Sequence, residues 1–339
     1  MKYKFIHVLL FMSACSFSGC KGQETFGENS LRLIKIISLP GVKGRIDHLD
    51  INLKDQIVYI AALGSNSVEV VDLNKGRVLH SITGLDEPQG VGYIPQNHEI
   101  FIANGGNGDC YFYNANTFEK VAVIHLKSDA DDVRYDSTDK KIYVGYGTGG
   151  IAIVDADKHT QVGDIKLPAH PEGFQMDKRN NLLYVNLPGP DMIGVVDIKK
   201  LKLISNIGKN YRSENFPMAL DASGTRLFIG YRHPGKLVVM DTKTGNRINV
   251  SELTNDSDDI FYDEITKRVY ASCGGGYTRL GYINIFQLQS ENTYKQIANI
   301  PTRNGARTSL LVPQLNLFFV AEPSVYTHDG ELMVYKIQK

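Results

Sequence analysis

Short runs with apolar residues at alternate positions recur along the whole chain, separated by clusters of Gly, Asn, Asp and Pro. Helical spacing of apolar residues is absent throughout, so the pattern predicts strands and turns. One unit reads as strands over residues 48–52, 56–62, 67–72 and 77–82. Its second strand carries an aromatic residue, and the strand about ten residues on often ends in Asp. The aromatic markers are Tyr59, Phe101, Tyr143, Tyr184, Phe228, Tyr270 and Phe318, spaced by 42, 42, 41, 44, 42 and 48. A period in the low forties signals four-stranded blades stacked around an axis. The expectation is an all-β chain, a seven-bladed β-propeller of four-stranded antiparallel blades.

The turns support this reading. Leu63-Gly64-Ser65-Asn66, Asn104 to Asp109 (NGGNGD) and Gly147-Thr148-Gly149-Gly150 supply residues that accept the positive φ of tight hairpins. Radial blades hide all but short sheet edges. The last repeat is one strand short, because only residues 331–337 follow its marker pair. Residues 31–39 (LRLIKIISL) form a strand with no repeat of their own, and they are expected to complete blade seven and close the ring. One propeller domain then covers residues 31–339, although length alone would suggest two domains.

The first residues read differently. Lys2 and Lys4 precede an apolar stretch over residues 5–12, and small residues lead to Cys20. That is a secretory signal, expected over residues 1–19. Ser18-Gly19-Cys20 resembles the bacterial lipobox, which implies lipidation of Cys20 and a polar tether over residues 20–30. Cys15, in Met12-Ser13-Ala14-Cys15, is a competing position, and secretion without an anchor is the alternative. The expected location is the periplasm or the outer membrane, with membrane contact only through the lipid. No later run is apolar enough to span a bilayer. Cys110 and Cys273 fall in different blades, have no metal-ligand spacing and read as buried small hydrophobes rather than a disulfide.

Charge excludes one class of partner. The chain holds 37 basic and 37 acidic residues, and removing Lys2 and Lys4 with the signal leaves 35 against 37. No basic stripe is present, so nucleic-acid binding is not expected.

The aromatic period lines up the blades residue by residue. Twelve positions before each marker stand Asp47, Gln89, Asp131, Glu172, Phe216, Asp258 and Ala306, and eleven before stand His48, Gly90, Asp132, Gly173, Pro217, Asp259 and Arg307. These positions begin the innermost strands, where the blades converge. Carboxylates crowded there raise one another's pKa unless a cation, an Arg or a polar ligand compensates. His48, Arg307 and Arg45 oppose the acidic excess. The column reads either as the solvated wall of a wet channel or as a site for a small ligand or cation. Just past the second strands lie Asn104, Tyr146, Asn186, Arg232, His233, Tyr277, Arg279, Tyr326 and His328. Such a rim suits a polar organic ligand, a sugar or a lactone, and equally a docked envelope protein, since Tyr and Arg are favoured anchors.

Leu182-Leu183-Tyr184-Val185-Asn186, Phe101-Ile102-Ala103-Asn104 and the run from Ser65 to Asp72 (SNSVEVVD) resemble the repeat of the YVTN β-propeller family. There, a strand ending near Tyr-Val-x-Asn is followed by a polar turn and a strand ending in Ile-Asp. The resemblance covers all seven repeats and implies the propeller fold and a secreted or surface location, without a defined activity. Arg45-Ile46-Asp47-His48, Asp129-Ala130-Asp131-Asp132 and His170-Pro171-Glu172-Gly173 depart from the repeat and individualise their blades.

The leading expectation is a monomeric binding module with a polar, acidic pocket at the channel mouth. It is built from Asp47, His48, Gln89, Asp131, Asp132, His170, Glu172, Asp258, Asp259, Arg307, Arg232, Tyr277 and Tyr326. The alternative is a metal-assisted lyase or lactonase, with His48 or His170 as base and Asp131, Glu172 and Asp258 holding Ca or Mg. No G-x-S-x-G or H-E-x-x-H motif is present.

Overall fold

The computed structural model describes residues 30–208, 214–276, 279–290, 292–325 and 328–338. The signal, Cys15, Cys20, most of the tether, Tyr277 and Tyr326 lie outside them. The described chain forms seven antiparallel four-stranded sheets around a central channel, with a single 3-10 turn over Leu63–Ser65. The innermost strands are Leu49–Asn52, Pro88–Ile94, Ala130–Asp136, Phe174–Asp177, Asn215–Leu220, Ser257–Asp263 and Thr308–Val312. Blades three and four also meet at their outer edges through one parallel pair, Lys166 with Lys202.

Closure follows the sequence reading. Leu31–Leu39 pairs antiparallel with Gly330–Ile337, from Leu31 opposite Ile337 to Leu39 opposite Gly330. Ile37, Leu39, Phe319 and Val334 of blade seven pack with Val58 and Ile60 of blade one in one buried cluster. The first and last repeats are thus joined by backbone hydrogen bonds and by apolar burial at the same seam.

The repeated residues turn out to be the scaffold. All seven aromatic markers are buried, where they fill the wedge between neighbouring sheets; Tyr270 stacks on Phe318 at 5.3 Å and Phe228 on Tyr262 at 4.6 Å. The repeated Asp and Asn residues shape hairpins. Asp72 accepts the N–H of Lys75, Asn114 that of Asn116, Asp155 that of Lys158, Asp197 that of Lys200 and Asp241 that of Thr244, at 2.7–3.0 Å. Such bonds preorganise a turn. Asn52, Asp136, Asp177, Asp221 and Asp263 do the same after the innermost strands. Both sets of hairpins lie on one face, so the loops entering the innermost strands and those after the second strands share the opposite face. Cys110 and Cys273 are free and buried. Among the described residues no helix is long and apolar enough to cross a membrane.

Candidate functional site at the channel mouth

A recurring backbone bond fixes the loops of the mouth. In five of the seven blades the carbonyl fourteen residues before the marker accepts an N–H at or just past the end of the same blade's second strand: Arg45 from Gly64, Glu87 from Gly105, Asp129 from Gly147, Glu214 from Arg232 and Asp256 from Gly274, at 2.8–3.1 Å. Glu87, Asp129 and Asp256 reach this geometry at positive φ, 51°, 46° and 64°, a region that short polar side chains tolerate better than most. One residue after Glu87, Asp129, Glu214 and Asp256 the chain enters the innermost strand. Arg45, Asp129 and His170 of this level face the mouth, as do Asp47, Gln89, Asp131, Glu172, Phe216 and Asp258 two residues on.

They enclose a cavity of about 180 Å³ lined by Arg45, Asp47, His48, Gln89, Asp129, Asp131, His170, Glu172, Phe216, Arg232 and Asp258. Below it runs the channel, about 560 Å³, which shares His48, Asp131, Glu172, Phe216 and Asp258 with the mouth. Beside it, a hollow of about 360 Å³ shares Arg232 and includes Arg307 and Asp256.

One half of the mouth is internally neutralised. Asp258 is held by Arg232 and by Arg307, whose Nε is 3.0 Å away, with Arg45 at 3.9 Å. Burial alone would push the Asp258 carboxyl upward, but the three guanidiniums hold it well below the ordinary range. Arg45 also pairs with Asp47 at 2.8 Å, and Arg307 with Asp256 at 2.9 Å. The Arg232 guanidinium lies 3.4 Å over the Phe216 ring, which fixes its plane.

The other half is loosely paired. His48 sits 3.4 Å from Asp259 and 3.9 Å from both Asp47 and Asp131; His170 lies 3.8 Å from Asp131 and 3.4 Å from Asp129, and its Nδ1 is 2.6 Å from the Gly147 carbonyl. Asp131 therefore stands between two imidazoles, too far from either for a direct hydrogen bond. Burial would lower both imidazoles, but Asp259 raises His48 well above its ordinary value, and Asp131, the Gly147 carbonyl and Asp129 raise His170 to about 9. Burial, with the charges of Asp131 and Asp258, pushes Glu172 up to about 8; burial, opposed by Arg45 and His48, brings Asp47 to about 6.

The structure sorts the expected residues. Asp47, His48, Gln89, Asp131, His170, Glu172, Arg232 and Asp258 meet in the mouth. Asp132 and Asp259 line the channel just below, where Asp132 pairs with Arg134 and Asp259 accepts the Ser309 N–H, while Arg307 faces the neighbouring hollow. Three rim residues are fasteners instead. Asn104 bonds Asp86 and Asp109, Asn186 bonds Phe216, Pro217 and Asn215, and buried Tyr146 bonds Asp164. One chemical expectation is corrected and another loses support. Among the described residues, no group of three or more His, Cys, Asp or Glu side chains is spaced to hold a metal ion, so Asp131, Glu172 and Asp258 do not form the expected Ca or Mg set. Asp258 is taken up by arginines, and Glu172 favours its protonated form at neutral pH. The carboxylates around His48 and His170 favour their cationic forms, which suits a base poorly.

Sequence reasoning flagged Asp129 only as a departure from the repeat, not as a site residue, and missed Asp256 and Glu214. The period carries them: the column fourteen before the markers reads Arg45, Glu87, Asp129, His170, Glu214, Asp256 and Asn304, polar at every blade.

The fold and mouth together define a β-propeller with a charged, ligand-sized opening. No family model matches the chain, and no curated protein matches it. Among solved structures, it is similar to a chain in the crystal structure of a mitotic checkpoint complex, at 15% identity and a TM-score of 0.75, covering 98% of this chain and 99% of that one. This likeness is one of fold.

Proposed function

We propose that the protein is a binding propeller whose channel mouth takes a small, polar, hydroxyl-rich ligand such as a sugar or a lactone. The observation that carries this reading is Asp131, suspended between His48 and His170 beyond hydrogen-bond reach in a cavity large enough for part of such a ligand. Charge narrows the class. With Glu172 protonated, the lining sets Arg45, Arg232, His48 and His170 against Asp47, Asp129, Asp131 and Asp258, so a neutral ligand meets both donors and acceptors without an uncompensated charge. Imidazolium groups and a protonated Glu172 favour binding over base-led elimination or lactone hydrolysis.

A thermal-shift screen of sugars and lactones, with divalent cations and EDTA as further arms, tests this. A saturable rise in Tm with a neutral sugar or lactone, lost in His170→Ala combined with Asp131→Asn, supports the reading. No response to any compound would favour an envelope protein docked on the rim, and cation-dependent stabilisation would revive the metal site.

The same proposal places the propeller in the cell envelope, exported by the segment containing Lys2 and Lys4 and tethered through lipidated Cys20. What supports it is the Ser18-Gly19-Cys20 run and the short polar stretch before Leu31. Cys20→Ser should release the protein from membranes; retention would count against Cys20 as the anchor.

A further inference from the structure

Outside the channel, exposed apolar residues are shared unevenly among the blades. The outermost strand of blade seven, Leu31–Leu39, exposes Leu33, Ile34 and Ile36 at 43, 46 and 51% within four residues. Of the other six outermost strands, blade two exposes Val121 and Val123, blade six exposes no large apolar residue and the rest expose one each. The register accounts for part of the excess. Leu33 stands opposite Tyr335 and Lys35 opposite Val334, so Ile34 bulges from the ladder without a partner. Ile37 and Leu39 turn into the seam with blade one, which puts Ile36 on the opposite, open side.

This strand begins on the hairpin face. Leu31 lies opposite Ile337, whose N–H donates to the Asn316 carbonyl in the hairpin after the innermost strand of blade seven. On the same face, the equivalent hairpins of the two flanking blades expose Leu53 and Ile265, the latter at 68% the most exposed large apolar residue described. The strand itself carries Arg32 and Lys35 and no acid. Lys35 braces it to blade one through the Leu73 carbonyl, at 2.7 Å. Half-exposed apolar side chains beside basic ones suit the interface of an anionic bilayer. The preceding chain says what would cover them. Cys20 stands ten positions before Ser30, a reach of at most about 35 Å, so a lipid on Cys20 keeps this corner within that distance of a membrane.

We propose that the blade-seven corner, led by Leu33, Ile34 and Ile36, rests in a phospholipid surface, with the hairpin face toward the lipid and the channel mouth away from it. The inference rests on the anchor reading and adds which surface meets the membrane. The chain contains no Trp, so Ile36→Trp supplies a single fluorescent reporter at the contact. Val162→Trp, half exposed on the outermost strand of blade three, supplies the control. Cys110 and Cys273 are buried, so the chain from Cys20 onward couples through the Cys20 thiol to a maleimide lipid. The vesicles are phosphatidylcholine and phosphatidylglycerol, with or without brominated acyl chains. Emission from Ile36→Trp should shift to the blue and fall by about half with brominated lipid, as for a side chain at the headgroup and acyl boundary, while Val162→Trp changes little. Adding Leu33→Glu and Ile34→Glu should abolish the quenching. Unquenched Ile36→Trp, equal quenching of both reporters, or quenching that survives the two Glu substitutions would overturn the proposal. The maleimide supplies the attachment, so failure here is distinct from failure of the cellular anchor, which Cys20→Ser reads.

Discussion

The two faces of this propeller use the same residue type for opposite purposes. On the hairpin face, Asp72, Asp155, Asp197 and Asp241 repeat from blade to blade, accept backbone N–H groups and sit below the ordinary carboxyl value, those bonds together with neighbouring lysines stabilising the charge. On the mouth face, Asp47 and Glu172 do not repeat and are pushed upward, chiefly by burial. Carboxylates that build the fold are relaxed, whereas Asp47 and Glu172 at the axis are held at a cost. A fold does not need the second kind. Their opposite shifts give the faces opposite pH signatures. The hairpin carboxylates contribute stability that is present above about pH 3.8 and lost as acid protonates them. Glu172, raised from 4.5 to about 8, costs stability as pH climbs between those values; His170, raised from 6.5 to about 9, contributes stability that is full below 6.5 and lost as pH rises through 9.

The largest expected effect breaks the mouth rather than a hairpin. Asp258→Ala strips the carboxylate from between Arg232 and Arg307 and should cost about 3–5 kcal/mol in urea unfolding, as for other broken buried pairs. A cost no greater than that of a hairpin Asp would erase the distinction between the faces. Next is Glu172→Gln, which should leave stability near pH 4 almost unchanged and raise it by about 1–2 kcal/mol at pH 9, because no charge is then forced into the mouth. Thermal unfolding across pH reads this directly, and a loss of stability at pH 9 would reverse the assignment. The smallest is Asp241→Ala, worth about 1 kcal/mol for the turn bonds to Thr244. Its effect should fade below pH 4 and leave the alkaline limb untouched. Persistence of the full effect at low pH would mean that the charge of Asp241 does not matter.

Whatever repeats could be read from the sequence. Seven aromatic wedges and the hairpin Asp residues impose the blade, and the strand without a repeat, Leu31–Leu39, had one vacancy to fill. The mouth was legible in part, because the aromatic period aligned Asp47, Asp131, Glu172 and Asp258 at one level. It did not show which neighbours would neutralise them. Arg232 reaches Asp258 from the end of a second strand, 26 residues earlier in the chain, and no local pattern predicts that reach. Asn104 and Asn186 were misplaced for a related reason: both still belong to their second strands, Glu99–Asn104 and Leu182–Leu187, and their amides donate to backbone carbonyls instead of reaching the rim. Asp129 and Asp256 escaped because the column was sampled only where the innermost strands begin, while the loop just before them also points at the axis.

Isothermal titration of the neutral sugar or lactone giving the largest thermal shift tests the central claim most directly, with three proteins compared: wild type, the mouth variant His170→Ala with Asp131→Asn, and the hairpin variant Asp241→Ala. The account predicts saturable heat from wild type and from Asp241→Ala, with at least a tenfold loss of affinity in the mouth variant. Equal affinity in all three would place binding away from the mouth and contradict it.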